Sequence, residues 1–130
     1  MKKRETWIVI LCLLIAGVFW TYHLQEKRGK IKNSPSFSTG KVIKFNSVSK
    51  RSSIVIVYQF NLNDKVYRNT KSYTNISINW ENKFVGHFFT IVYEPKNPKN
   101  NEILITDEDY EYYNLKKPDS LYWVEQYFTQ

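Results

Sequence analysis

Few side chains in this sequence have a type and spacing that could do chemistry. His23 and His87 are the two histidines and Cys12 is the one cysteine. His23 closes a long apolar stretch and His87 opens an alternating one, so the two are not expected to meet at a metal or as a catalytic pair. The acidic run Asp107, Glu108, Asp109 and Glu111 has the charge for a hard cation, but it lacks the glycine and the spaced ligands of a calcium loop. There is no Gly-rich phosphate loop, no serine elbow, and no cysteine nucleophile outside the apolar stretch. Asn75, Ile76 and Ser77 match a glycosylation sequon, which matters only in a eukaryotic secretory context. The expectation is recognition rather than reaction: no enzyme, no cofactor, no metal, no small-molecule substrate.

Recognition has a candidate stretch. Tyr110, Tyr112, Tyr113, Tyr122, Trp123 and Tyr127 crowd amphipathic rings into one short span, beside Asp107, Glu108 and Asp109. Tyr and Trp favour interfaces, and acidic charge among them would steer a basic partner. These nine residues are the expected partner-binding surface. A second reading is open on the same stretch: Pro118 begins a final helix capped by Asp119 or Ser120, and Leu121, Val124 and Phe128 form an apolar stripe that covers the chain's own core while the acidic run stays solvated.

What positions these groups begins with Trp7 to Leu24, 18 residues without Asp, Glu, Lys or Arg. As a helix, at about 1.5 Å per residue, this stretch spans roughly 27 Å, close to the roughly 30 Å hydrocarbon core of a bilayer. Lys2, Lys3 and Arg4 precede it, and Trp7 at one end and Trp20, Tyr22 and His23 at the other suit the two headgroup layers. The bulky run Val18 to Tyr22 offers signal cleavage little, so an uncleaved single-pass anchor is expected in the inner (cytoplasmic) membrane. Lys27, Arg28, Lys30 and Lys32 rival the leading charges, but keeping the short basic amino terminus inside places the soluble domain outside the cytoplasm.

The net charge of +7 is a poor nucleic-acid signal once divided. Residues 1–101 carry 17 basic and 5 acidic side chains, residues 102–130 carry 2 and 7, and residues 31–130 net only +3. The excess in the anchor's flanks is explained by anionic lipid headgroups, and no basic stripe supports nucleic-acid binding. With Cys12 inside the apolar stretch, the soluble part can form no disulfide within itself and must rely on packing.

About 100 residues follow the anchor, enough for one core. Residues 29–38 are polar and aperiodic and read as a linker. Val42, Ile43 and Phe45 begin the β character, and the polar run after them reads as a loop. Ile54, Ile56, Tyr58, Phe60 and Leu62 then alternate, the best candidate for a central strand. Asn63 and Asp64 supply a turn, Val66 to Tyr73 return as a hairpin partner, and Thr74 to Phe84 form a connection in which Trp80 covers one end of the core. Phe88 to Glu94 is a further strand, residues 95–101 a Pro-fixed turn, and Ile103 to Ile105 a short last strand. The expected fold class is mainly β: an N-terminal single transmembrane helix (residues 1–28 with its basic start), a linker (29–38), a small five-stranded antiparallel barrel-like sheet (39–106), and an acidic, tyrosine-rich segment with a short C-terminal helix (107–130).

Gly40, Val42, Val57, Tyr58, Phe60 and Tyr67, followed by the stretch VGHFFTIVYEPKNPKNNEILI from Val85 to Ile105, resemble the DUF3592-type family over residues 39–106. The resemblance implies a small, membrane-anchored bacterial β domain and lends almost no mechanism, since the matching residues are a turn glycine, a strand and a Pro-fixed turn. The expected function is a membrane-tethered, non-catalytic binding module of the bacterial envelope that docks a protein partner, with immunity against a secreted toxin as a specific form. The alternative is a structural accessory subunit of a larger membrane complex, held through its span, where Ala16 and Gly17 offer a small-residue face.

Overall fold

The structure, a computed structural model, describes residues 2–48, 53–74 and 83–128. Trp80, the sequon at Asn75 and the centre of the loop after the first strand lie outside the described residues.

Helix α1 runs unbroken from Lys2 to Asn33. It contains a window long and apolar enough to cross a membrane, none of it buried inside the protein. Residues 29–33, expected as linker, are its last turn. The polar side chains there mislead because they occupy the solvent side, while Ile31 is buried against the domain. Pro35 ends the helix, since a proline disfavours helical geometry in the residue before it, and β1 starts at Ser36.

Five antiparallel strands follow: β1 (Ser36–Val48), β2 (Ser53–Leu62), β3 (Lys65–Tyr73), β4 (Phe88–Glu94) and β5 (Asn97–Leu104), in the order β3-β2-β1-β4-β5. The central strand is β1 rather than β2. Its polar residues hide its length: Thr39 and Lys41 stand on the exposed face, and the small Ser36 and Ser38 are partly buried on the face that carries Gly40 and Val42. Register shifts between Val42 and Lys44, making Ile43 the extra residue of a bulge that returns Phe45 to the core. Gly40 lets β1 pass close over β4: a Cβ there would stand 2.6 Å from Ile91 Cγ1 and 3.0 Å from the Gln59 carbonyl oxygen.

Strand β2 alternates as its sequence requires, with Ile54, Ile56, Tyr58 and Phe60 buried. Asn63 and Asp64 turn the chain into β3 with φ of 51° and 62°, the left-handed pair a two-residue hairpin needs. The turn after β4 is only Pro95-Lys96, and β5 includes residues expected as turn. Pro98 fits because β5 is an edge strand, and Asn101 Nδ2 donates to the Pro98 and Lys99 carbonyl oxygens at 2.9 and 3.2 Å.

The sheet curls until its edges face each other, nearly closing a barrel. The β3–β5 seam is bridged by side chains: Tyr58 Oη donates to Asn101 Oδ1 at 2.8 Å, Asn69 Nδ2 to the same atom at 3.2 Å, and Lys71 Nζ to the Ile103 carbonyl oxygen at 3.1 Å. Two exposed edges are thereby replaced by one polar closure.

The C-terminal segment holds α2 (Asp107–Tyr112) and then a 3-10 helix (Asp119–Tyr127). Pro118, not Asp119 or Ser120, is the cap residue of the latter, with no side-chain cap hydrogen bond. Val124 is fully buried in the barrel core, with Leu121, Trp123, Tyr127 and Phe128 packed around it. A second, smaller core joins the helices to the sheet: Ile31 of α1, Val92 of β4, Leu104 of β5, and Tyr110 and Tyr113 at α2.

Candidate functional site

The polar network of the molecule is built where α1, the seam and α2 meet. Thr106 and Asp109 form a capping box on α2: Asp109 N–H donates to Thr106 Oγ1 at 3.3 Å, and Thr106 N–H to Asp109 Oδ2 at 3.1 Å. Asp109, 5% exposed, also accepts from Ile105 N–H at 2.9 Å and Tyr73 Oη at 2.6 Å, and its other oxygen accepts from Lys71 Nζ. Burial pushes its carboxyl up, but the Lys71 charge and these hydrogen bonds outweigh it and hold the group below the usual aspartate value.

Lys71 also donates to Glu102, on β5. Arg28, near the end of α1, grips the same carboxylate bidentately, Nη2 to Oε1 at 2.9 Å and Nε to Oε2 at 3.1 Å, and Tyr113 Oη donates to Oε2 at 2.6 Å. Burial lowers the Arg28 pKa, while Glu102 opposes it and the balance is raised. Tyr73 and Tyr113 are raised by burial and then by the adjoining carboxylates. Two cations thus meet two anions in one cluster, with every carboxylate held by a cation and a tyrosine. Such an arrangement locks α1 to the domain and closes the seam.

The nine residues expected at a partner surface divide between interior and exterior. Asp109, Tyr110 and Tyr113 are buried, the Tyr110 hydroxyl donating to Thr90 Oγ1 at 3.3 Å. Trp123 and Tyr127 are half-buried against Phe84, with ring centroids 5.3 and 5.8 Å away. Tyr112 is half-buried with the Arg28 guanidinium 4.0 Å and Lys32 Nζ 4.8 Å from its ring centre. Asp107, Glu108 and Tyr122 remain exposed. Asp107 and Glu125 both pair with the buried Lys117, at 3.2 and 3.0 Å, and the Tyr122 ring centre lies 5.8 Å from the same Nζ, so these groups share one patch.

Sequence reasoning missed Arg28, Lys71, Glu102 and Lys117. Two signals were present. Thr106 and Asp109 have capping-box spacing, which marks Asp109 as a helix cap rather than a solvated charge, and Lys71 falls on the inward register of β3 between Tyr67 and Tyr73. The His87 ring lies tilted against Trp123, centroids 5.0 Å apart, and His23 lies exposed by Glu26, so the two histidines stay apart. Among the described residues no group of three or more His, Cys, Asp or Glu side chains is placed to hold a metal.

Fold and network together define a small, mainly β domain fastened to one helix long and apolar enough to cross a membrane. No family model, no curated protein and no solved structure matches this chain.

Proposed function

We propose that this chain is a membrane-tethered, non-catalytic binding module of the bacterial envelope, of the DUF3592-like kind, that docks a protein partner through the barrel and the exposed face of its C-terminal segment. Immunity against a secreted toxin is the specific form that suits a small anchored domain with an acidic face. The supporting observation is the division of the C-terminal segment: Val124, Tyr110 and Asp109 bury and fix it, while Asp107, Glu108, Glu111 and Tyr122 stay at the surface. A rigid acidic and aromatic patch costs little ordering entropy on binding and attracts a basic partner.

The test is capture of the tagged full chain from its native membranes in mild detergent, with partners identified by mass spectrometry. Deleting Asp107 to Gln130 is unsuitable, since it removes Val124 from the core and Asp109 from Lys71. The surface variant Glu108→Lys/Tyr122→Ala keeps both. We expect one dominant partner that this variant loses at least tenfold; a partner set unchanged by the variant contradicts the docking patch. The second reading, an accessory subunit held by its span, is favoured by one observation: the apolar side chains of α1 between Trp7 and Tyr22 are exposed among the described residues. Replacing the span with an unrelated apolar helix spares the first reading and abolishes the second.

A further inference from the structure

The β4–β5 hairpin is fastened to α1 just past the apolar stretch. Asn100 Nδ2 donates to the Lys27 carbonyl oxygen at 3.1 Å, and a small cleft separates His23, Lys27 and Lys30 on the helix from Glu94, Asn97 and Lys99 on the hairpin. Three contacts set the direction. Asn100 meets Lys27, Glu102 meets Arg28, and Leu104 clusters with Ile31, so β5 and α1 climb away from the span together. The Pro95-Lys96 turn therefore points back toward the span. Lys27 stands three residues beyond Leu24, about 4.5 Å along a helix. The headgroup layer on each side of a bilayer is roughly 5–8 Å thick. With the span in the hydrocarbon core, the hairpin tip lies among the headgroups.

Its charge suits that position. Glu26 is occupied by Lys30 at 3.2 Å, and Glu94 accepts from Asn100 Nδ2 at 3.1 Å. Lys27, Lys96 and Lys99 are exposed and have no ion pair among the described residues. We propose that the β4–β5 turn, with Lys27, Lys96 and Lys99, is a docking surface for anionic phospholipid headgroups that lays this end of the barrel on the bilayer. The proposal rests on the membrane-tethered reading above and goes beyond it, because the domain itself, and not only its helix, touches the lipid. The partner patch is then held at a fixed height and tilt.

The full chain reconstituted in phosphatidylglycerol-containing nanodiscs tests this. One spin label is placed at the native Cys12, and in a Cys12→Ser background another at Asn97→Cys; collision with oxygen and with a water-soluble nickel complex reports depth. The Cys12 label is expected in hydrocarbon and the Asn97→Cys label shielded from nickel. Because helix and barrel move as one piece, adding Lys27→Gln, Lys96→Gln and Lys99→Gln should let that piece tilt in the bilayer and lift the turn, exposing the label, each lysine lowering the ratio of docked to lifted turn about fivefold; a label equally shielded in this variant overturns the role of the lysines. The side chains of these lysines have no ion pair among the described residues, so the fold is expected to persist, and the thermal transition checks it. A Cys12 label in hydrocarbon with a freely nickel-accessible Asn97→Cys label overturns the proposal and leaves the tether standing. A Cys12 label outside hydrocarbon overturns both.

Discussion

Lys71 is the residue on which the most structure converges. It sits at the seam where β3 and β5 lack backbone pairing, and it joins Glu102, Asp109 and the Ile103 carbonyl oxygen in one stroke. With Lys71→Met the apolar stem is kept and the charge removed, leaving Asp109 buried with no cation. Breaking a buried pair in this way costs about 3–5 kcal/mol, and chemical unfolding of the full chain in detergent should show it; a loss below about 1 kcal/mol would show that the network is incidental. Asp109 also sets a pH dependence. Its folded carboxyl titrates below its unfolded one, so its stabilising contribution is complete above the ordinary value of about 3.9 and is lost as the pH falls through the lower folded value. The wild-type chain should lose stability on acidification below about pH 4, and Asp109→Asn should be less stable at neutral pH with a shallower acid decline. An equally steep acid decline in both chains would remove Asp109 from that role.

Among the elements, β1 illustrates how close approach and a bulge shape the barrel. Gly40→Ala forces a methyl group against the fully buried Ile91 side chain and the Gln59 carbonyl oxygen. Overpacking of this kind costs about 1–3 kcal/mol, and a fall in the thermal midpoint without loss of the span's helicity is the expected result; an unchanged midpoint would mean that the β1–β4 approach is looser than its geometry. The elements legible in the sequence were those with a strong period. Strand β2 and strand β4 stand where their alternation places them, Asn63-Asp64 turns the chain, and the apolar helix is read from length alone. Elements defined by tertiary contact were not legible. The last turn of α1 is polar in sequence and helical because Ile31 and Arg28 find partners on the sheet. Most of β5 is Asn, Lys and Pro, and it is a strand because it pairs with β4 while Asn101 Nδ2 satisfies the Pro98 and Lys99 carbonyl oxygens. The candidate site divided on the same line. Tyrosines at residues 110–113 read as surface, yet Tyr110 and Tyr113 are interior because α2 folds back over Val92 and Leu104.

At the scale of the whole molecule, the helix and the barrel form one continuous piece. Arg28 binds Glu102 through two hydrogen bonds and covers Tyr112, and Ile31 lies in a core shared by helix, sheet and α2. A domain on a flexible linker samples many poses, whereas this one presents its acidic, aromatic patch at a set orientation to the span. Hydrogen bonds to a charged group contribute about 1.5–3 kcal/mol, and because the Arg28 side chain is 40% exposed the lower end applies. Arg28→Ala should therefore loosen the seating of the helix, which Ile31 and Asn100 still hold in part, without unfolding the barrel. The most direct measurement is the spin–spin distance between labels at Val18→Cys, in the span, and Lys65→Cys, at the β2–β3 turn, in a Cys12→Ser full chain in nanodiscs. A rigid connection predicts one narrow distance distribution that broadens in Arg28→Ala. A distribution already broad with Arg28 in place would contradict the clamp.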